Sequence, residues 1–76
     1  MNQLQHLDEI AREAWAGDYR RCGVLSKGEV LYVALAAGRM RELAPDDSIA
    51  YAVKRVGPDW MAHMQQVWGS ARQPAA

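Results

Sequence analysis

The chain has 76 residues, with nine basic and nine acidic side chains and a formal net charge of zero. A chain of this length holds one domain at most, and its core is small in proportion to its surface. Zero net charge argues against a general polyanion binder, because non-specific nucleic-acid affinity sums many phosphate neutralisations, and the single cysteine, Cys22, excludes an internal disulfide and fits a reducing cytoplasm.

Half of the residues are apolar, which is enough for a core, and with no phenylalanine the aromatic burial falls largely on Trp15, Trp60 and Trp68. Each of these rings can contribute roughly 2–3 kcal/mol when buried. The opening stretch, Met1 to Glu9, carries neither the basic region nor the apolar stretch of a secretory signal. The longest apolar run, Val30 to Ala37, is too short to span a bilayer. The expectation is a cytoplasmic protein with no membrane contact. Charge is unevenly spread: Asp8, Glu9, Glu13 and Asp18 against Arg12 give residues 1–18 a net of −3, whereas Arg20, Arg21, Lys27, Arg39 and Arg41 against Glu29 give residues 19–41 a net of +4. The two parts can neutralise each other on folding, or present opposite faces to partners.

The first predicted helix covers residues 2–16. Leu4, Leu7, Ala11 and Ala14 form its stripe, widened by Ile10 and Trp15, and Gln5, Asp8, Glu9, Arg12 and Glu13 mark the wet side. Asp8–Arg12 and Glu9–Arg12 are favourably spaced ion pairs, and Gly17-Asp18 ends the helix. Residues 17–25 read as a connector with room for one helical turn, under which Tyr19, Val24 and Leu25 can tuck.

The clearest local signal opens the second helix. Ser26 and Glu29 have the spacing of a capping box, and Leu25 and Val30 stand where a hydrophobic staple needs them. Val30, Val33, Ala34, Ala37, Met40 and Leu43 keep a helical period through Gly38, so the favoured reading is one helix over residues 27–43, with a break at Gly38 as the alternative. In the continuous reading Ala34, Ala37 and Gly38 make a flat place for a neighbouring helix, and Pro45 forces the stop.

The third helix covers residues 47–56. Asp46, Asp47 or Ser48 caps it, Ile49, Ala52, Val53 and Val56 make its apolar face, and Gly57 closes it. Pro58 then serves as the first residue of a fourth helix, 58–69, with Asp59 suited to its dipole. Trp60, Met61, Met64, Val67 and Trp68 form its stripe. The expected fold is an all-α bundle of about four helices with a tight corner at Gly57-Pro58. Residues 1–70 form the domain and residues 71–76 a flexible tail.

Chemistry is poorly provided for. His6, His63 and Cys22 lie on three separate elements, and both histidines read as exposed surface residues. No Cys-x-x-Cys or His-x-x-x-His spacing and no glycine-rich phosphate loop is present. No catalytic, cofactor-binding or metal-binding residue is therefore assigned, and a non-enzymatic role is expected. Cys22 follows Arg20-Arg21, whose charges would favour a thiolate. A small hydrophobe in a connector is the favoured account of it, and a thiol sensor a distant third among functions.

Two groups remain. Arg20, Arg21, Arg39 and Arg41 form a candidate contact for nucleic acid or another anionic partner, set against the plainer reading of a solvated face paired with the acidic first helix. The word order Leu25-Ser26, Glu29, Val30-Leu31, Leu35 to Gly38, Glu42-Leu43-Ala44, Ser48 and Val53-Lys54-Arg55 resembles the helix-turn-helix of LuxR-type response regulators. That resemblance implies a scaffold helix, a turn near Gly38, a short middle helix and a recognition helix opened by Ser48. The sequence departs from the family in a gap from Gly38 to Glu42 that is one residue short, and in Pro45 directly after Ala44. Finally, Trp60, Met61, Met64 and Trp68 carry more apolar surface than the last helix of a small domain usually needs. Ordinary core is one account of this stripe. A protein-binding surface is the other, and a second copy of the chain is one means of covering it. The favoured function is a small regulatory or adaptor protein that acts through protein–protein binding, in one form as a homodimer. The alternative is a helix-turn-helix-like DNA-binding transcriptional regulator.

Overall fold

Asn2 opens the first helix, α1 (Gln3–Trp15), with a complete capping box: its Oδ1 accepts the Gln5 N–H at 2.8 Å, and the Gln5 side chain accepts the Asn2 N–H at 3.2 Å. The computed structural model describes residues 2–72, with side chains to Gly69. Gly17, at φ 93°, closes α1 in a Schellman pattern: its N–H reaches Ala14 O at 2.9 Å, and the Asp18 N–H reaches Glu13 O at 2.9 Å. One 3₁₀ turn, Arg20–Val24, fills the connector and buries Cys22. Tyr19 and Leu25 pack on the core as expected, but Val24 points into solvent at 87% exposure.

The second helix, α2 (Lys27–Ala37), starts where its sequence says. The Ser26 hydroxyl accepts the Glu29 N–H, and the Glu29 carboxylate accepts the Ser26 N–H at 2.8 Å. It ends earlier than the apolar period suggests. Gly38 takes a left-handed conformation, φ 68° and ψ 34°, its N–H bonded to Leu35 O, and the Arg39 N–H closes on Ala34 O at 2.8 Å. The single helix expected over 27–43 is thus two: α2, then one separate turn, α3 (Met40–Leu43). Hydrophobic periodicity survives the break because Met40 and Leu43 still pack on buried residues. The period reports which side is apolar, not the sign of φ at one glycine.

Ser48 caps α4 (Ile49–Val56) by accepting the Tyr51 N–H at 3.0 Å. Gly57, at φ 94° and ψ 162°, then turns the chain, and Pro58 is the first residue of α5 (Pro58–Arg72). The corner at Gly57-Pro58 stands as read. The last helix is longer than expected: it passes through Gly69 and takes in positions 71 and 72 of the supposed tail, whereas 73–76 lie outside the described residues.

The fold is all-α, and α2 is its axle. Its residues from Leu31 to Ala34 are fully enclosed. On one side lies the main core, where Tyr32, Val33, Ala36 and Ala37 meet Leu7, Ile10, Ala11 and Ala14 of α1 and Met64 and Trp68 of α5. A smaller cluster of Leu31, Ala44 and Ala52 holds α4, helped by half-buried Leu35, Met40 and Val56. A helix apolar all round, as this one is from Val30 onward, has to be central.

Two substitutions test this framework by urea denaturation. Ser26→Ala lowers the unfolding free energy by about 1 kcal/mol. Gly38→Ala lowers it by about 1–2 kcal/mol, because a left-handed residue loses more from gaining a Cβ than a helix gains from alanine. Gly38→Asn loses less. A stability gain in Gly38→Ala would show that this closure is not kept in solution.

Candidate functional site

Asp8, read above as solvent-facing, is 4% exposed and lies where α1, α2 and α5 meet. Its Oδ1 accepts the Tyr32 hydroxyl at 2.6 Å and the Trp68 indole N–H at 2.9 Å, and its Oδ2 lies 2.8 Å from His63 Nε2. An ionised carboxylate only accepts, so His63 donates here. Burial pushes the Asp8 pKa up, but hydrogen bonds from Tyr32, Trp68 and His63, with the charge of His63, outweigh it and hold the carboxyl below its usual 3.8. Burial and the adjacent Asp8 push the Tyr32 phenol far up, so it stays a donor. His63 is therefore half-buried and engaged, not the free surface residue expected, whereas His6 is exposed. Among the described residues no buried side-chain polar atom lacks a partner. The cluster is a closed polar pin between three helices, and its groups are committed to one another.

The basic residues singled out above are not brought together as one open patch. Arg20 folds back on Asp18, with Nη2 at 2.7 Å from the carboxylate, which holds Asp18 down at about 2. Arg21 forks onto Glu13 with two contacts of 2.9 Å and also approaches Glu9. Arg39 reaches across to the C-terminus of α1 and donates to Ala14 O at 3.2 Å and Trp15 O at 2.6 Å. It thereby adds side-chain donors at the C-terminal end of α1, where Ala14 O also accepts the Gly17 N–H. Arg41 remains exposed on α3. The same pairing removes the thiolate argument for Cys22. With Arg20 and Arg21 facing acids, burial and the charges of Glu13 and Asp18 push the thiol pKa up.

The tryptophan and methionine stripe of α5 is divided. Met64 and Trp68 are each only 6% exposed and belong to the main core, whereas Trp60 and Met61 are half-buried against it. Trp68 is fixed on several sides: by Asp8, by Trp15 stacked at 6.0 Å, and by the Arg12 guanidinium 5.7 Å from its ring centre. Trp60 meets the buried Tyr32 ring edge-on at 5.8 Å. Met64 and Trp68 are thus closed to a partner in this conformation.

Large apolar side chains are exposed at Val24 on the 3₁₀ turn, at Trp15 on α1, and as a group on α4. Its stripe of Ile49, Ala52, Val53 and Val56 turns only Ala52 fully inward, leaving Ile49 64% and Val53 39% exposed. Beside Ile49 runs an open groove of about 450 Å³, lined also by Leu35, Gly38 and Met40, with Arg41 and Glu42 among its polar residues. Among the described residues no helix is long and apolar enough to cross a membrane, and no group of three histidine, cysteine or acidic side chains is placed to hold a metal ion. No protein-family model, curated protein or solved structure matches the chain.

The polar pin is open to test. Tyr32→Phe removes a donor to a buried charge and lowers stability by about 1.5–3 kcal/mol. The pH dependence has a definite sign. A carboxyl whose folded pKa lies below its unfolded one contributes stability that is complete above the unfolded value and fades as pH falls through the folded one. Asp8→Asn is therefore less stable than the native chain at pH 7, and the gap narrows below about pH 4. Urea midpoints of both proteins from pH 7 to pH 3 check this, because the remaining carboxylates are common to both. A gap that stays constant excludes Asp8 as its source.

Proposed function

We propose that this chain is a small non-enzymatic regulatory or adaptor protein that binds another protein through the outer face of α4. The observation that carries the reading is the half-used apolar stripe of that helix. Ile49 and Val53 lie one turn apart and both stay exposed, with a groove alongside. Val24 and Trp15 are also exposed, but they lie on separate elements, whereas Ile49 and Val53 share one helix face beside a groove. Such surface lowers solubility unless something covers it, and it is the usual material of an interface core.

A second reading has a specific observation of its own. The order α2, left-handed Gly38, one-turn α3, Ser48 cap and α4 follows the elements of the helix-turn-helix resemblance, and Lys54 and Arg55 are exposed in the last turn of α4. Against it, Asp46 and Asp47 stand at the entry of α4, where phosphates would pass, and Lys27 is held by Asp47.

Photo-crosslinking separates the two. With a benzoylphenylalanine in place of Ile49, irradiation in cell extract is expected to give protein adducts that Val53→Asp abolishes. Duplex DNA is expected not to be retarded at physiological salt. Retardation with a steep salt dependence, lost in Lys54→Ala with Arg55→Ala, would replace the protein-binding reading by the DNA-binding one.

A further inference from the structure

We infer that the partner covering the α4 face is a second copy of this chain, with the two α4 helices packed antiparallel about a two-fold axis; this rests on the reading of α4 as a protein-contact surface. A two-fold contact has to be self-complementary, so that what one copy offers the other accepts. The α4 face meets that requirement in shape and in charge. Ile49 and Val53 are separated by one helical turn, so antiparallel packing sets Ile49 against the partner's Val53 and repeats the contact in reverse. The groove beside Ile49, floored by half-buried Leu35 and Met40, leaves room for the partner's apolar side chain.

Charge decides the orientation. Asp46 and Asp47 precede α4, and Lys54 and Arg55 occupy its last turn. Antiparallel packing brings the basic end of each helix beside the acidic entry of the other, and it also opposes the two helix dipoles. Parallel packing would instead set acid on acid and base on base. Lys27 already holds Asp47, so exposed Asp46 is the acid open to the partner's Lys54. Zero net charge means that no long-range repulsion opposes two copies meeting.

Sedimentation equilibrium from about 5 to 500 µM reads the result, a range that spans ordinary weak self-association. The native chain is expected to move from one-chain toward two-chain mass. Ile49→Asp should remain at one-chain mass, and because Ile49 is mostly exposed its circular dichroism and urea midpoint should match the native chain. The charges supply an independent test. Asp46→Lys and Lys54→Glu each place like charges at both ends of the contact, and each should weaken self-association by about tenfold or more. Mixed in equal amounts they restore opposite charges at both ends, and the two-chain mass should return. One-chain mass at every concentration overturns the inference, as does a dimer that survives Ile49→Asp, a mixture that fails to recover, or a dimer that forms only on duplex DNA. If a monomeric native chain still crosslinks from position 49 to a different protein, the second copy is wrong and the α4 contact surface stands. If that crosslink is absent too, both fall.

Discussion

A carboxylate taken out of water is tolerated only where hydrogen-bond donors replace the solvent it has lost. Asp8 meets that condition with donors from two other helices: Tyr32 of α2, and His63 and Trp68 of α5. Apolar side chains alone would accept many rotations of α5 against the α1–α2 pair, because burial is non-directional. Three hydrogen bonds to one carboxylate accept few. They place Trp68 against Trp15, and they bring the stripe of α5 inward with Met64 in the main core. The pin thus settles which apolar surface the molecule encloses and, by subtraction, which it leaves outside.

The features legible in the sequence are those decided within a few residues. The capping box at Ser26 and Glu29, the Ser48 cap, and the corner at Gly57-Pro58 are local: each needs only a side chain and backbone groups within one turn. The close of α2 at Gly38 was ambiguous for a physical reason, since in-phase apolar residues on both sides are compatible with a continuous helix and with a turn. Asp8 shows a different limit. Its partners lie 24, 55 and 60 residues away, so no local pattern identifies them. One trace was available: Leu4, Asp8, Ala11 and Trp15 fall on one row of α1, which sets Asp8 beside the apolar stripe despite its charge.

The arginines show why summed charge is a weak guide to a binding patch. The excess of positive charge over residues 19–41 is real, but position matters more than total. Arg21 meets Glu13 and Glu9 of α1, so the acidic and basic halves of the chain do answer each other there. Arg39 does something that charge counting does not foresee. The left-handed exit at Gly38 sends it toward the end of α1, where its guanidinium covers the carbonyls of Ala14 and Trp15. A backbone event at the end of one helix thereby completes the end of another. The same turn separates α3 from α2 and forms part of the groove beside Ile49.

The two apolar clusters lie on α2 and divide its surface between them. The main cluster takes α1 and α5, the helices joined by Asp8. The smaller cluster has only α4 with the link through Ala44 and is built largely of small side chains, so it buries little. Alanine at position 52 lets α4 approach α2 closely, and for that reason the bulkier Ile49 and Val53 are set to the side of the contact. To cover them from within, α5 would have to leave Asp8, stranding a buried carboxylate and the donors that now satisfy it. An uncovered buried charge loses more than an exposed isoleucine does. Ile49 and Val53 therefore stay on the outer face of α4, a helix that contributes no group to the pin.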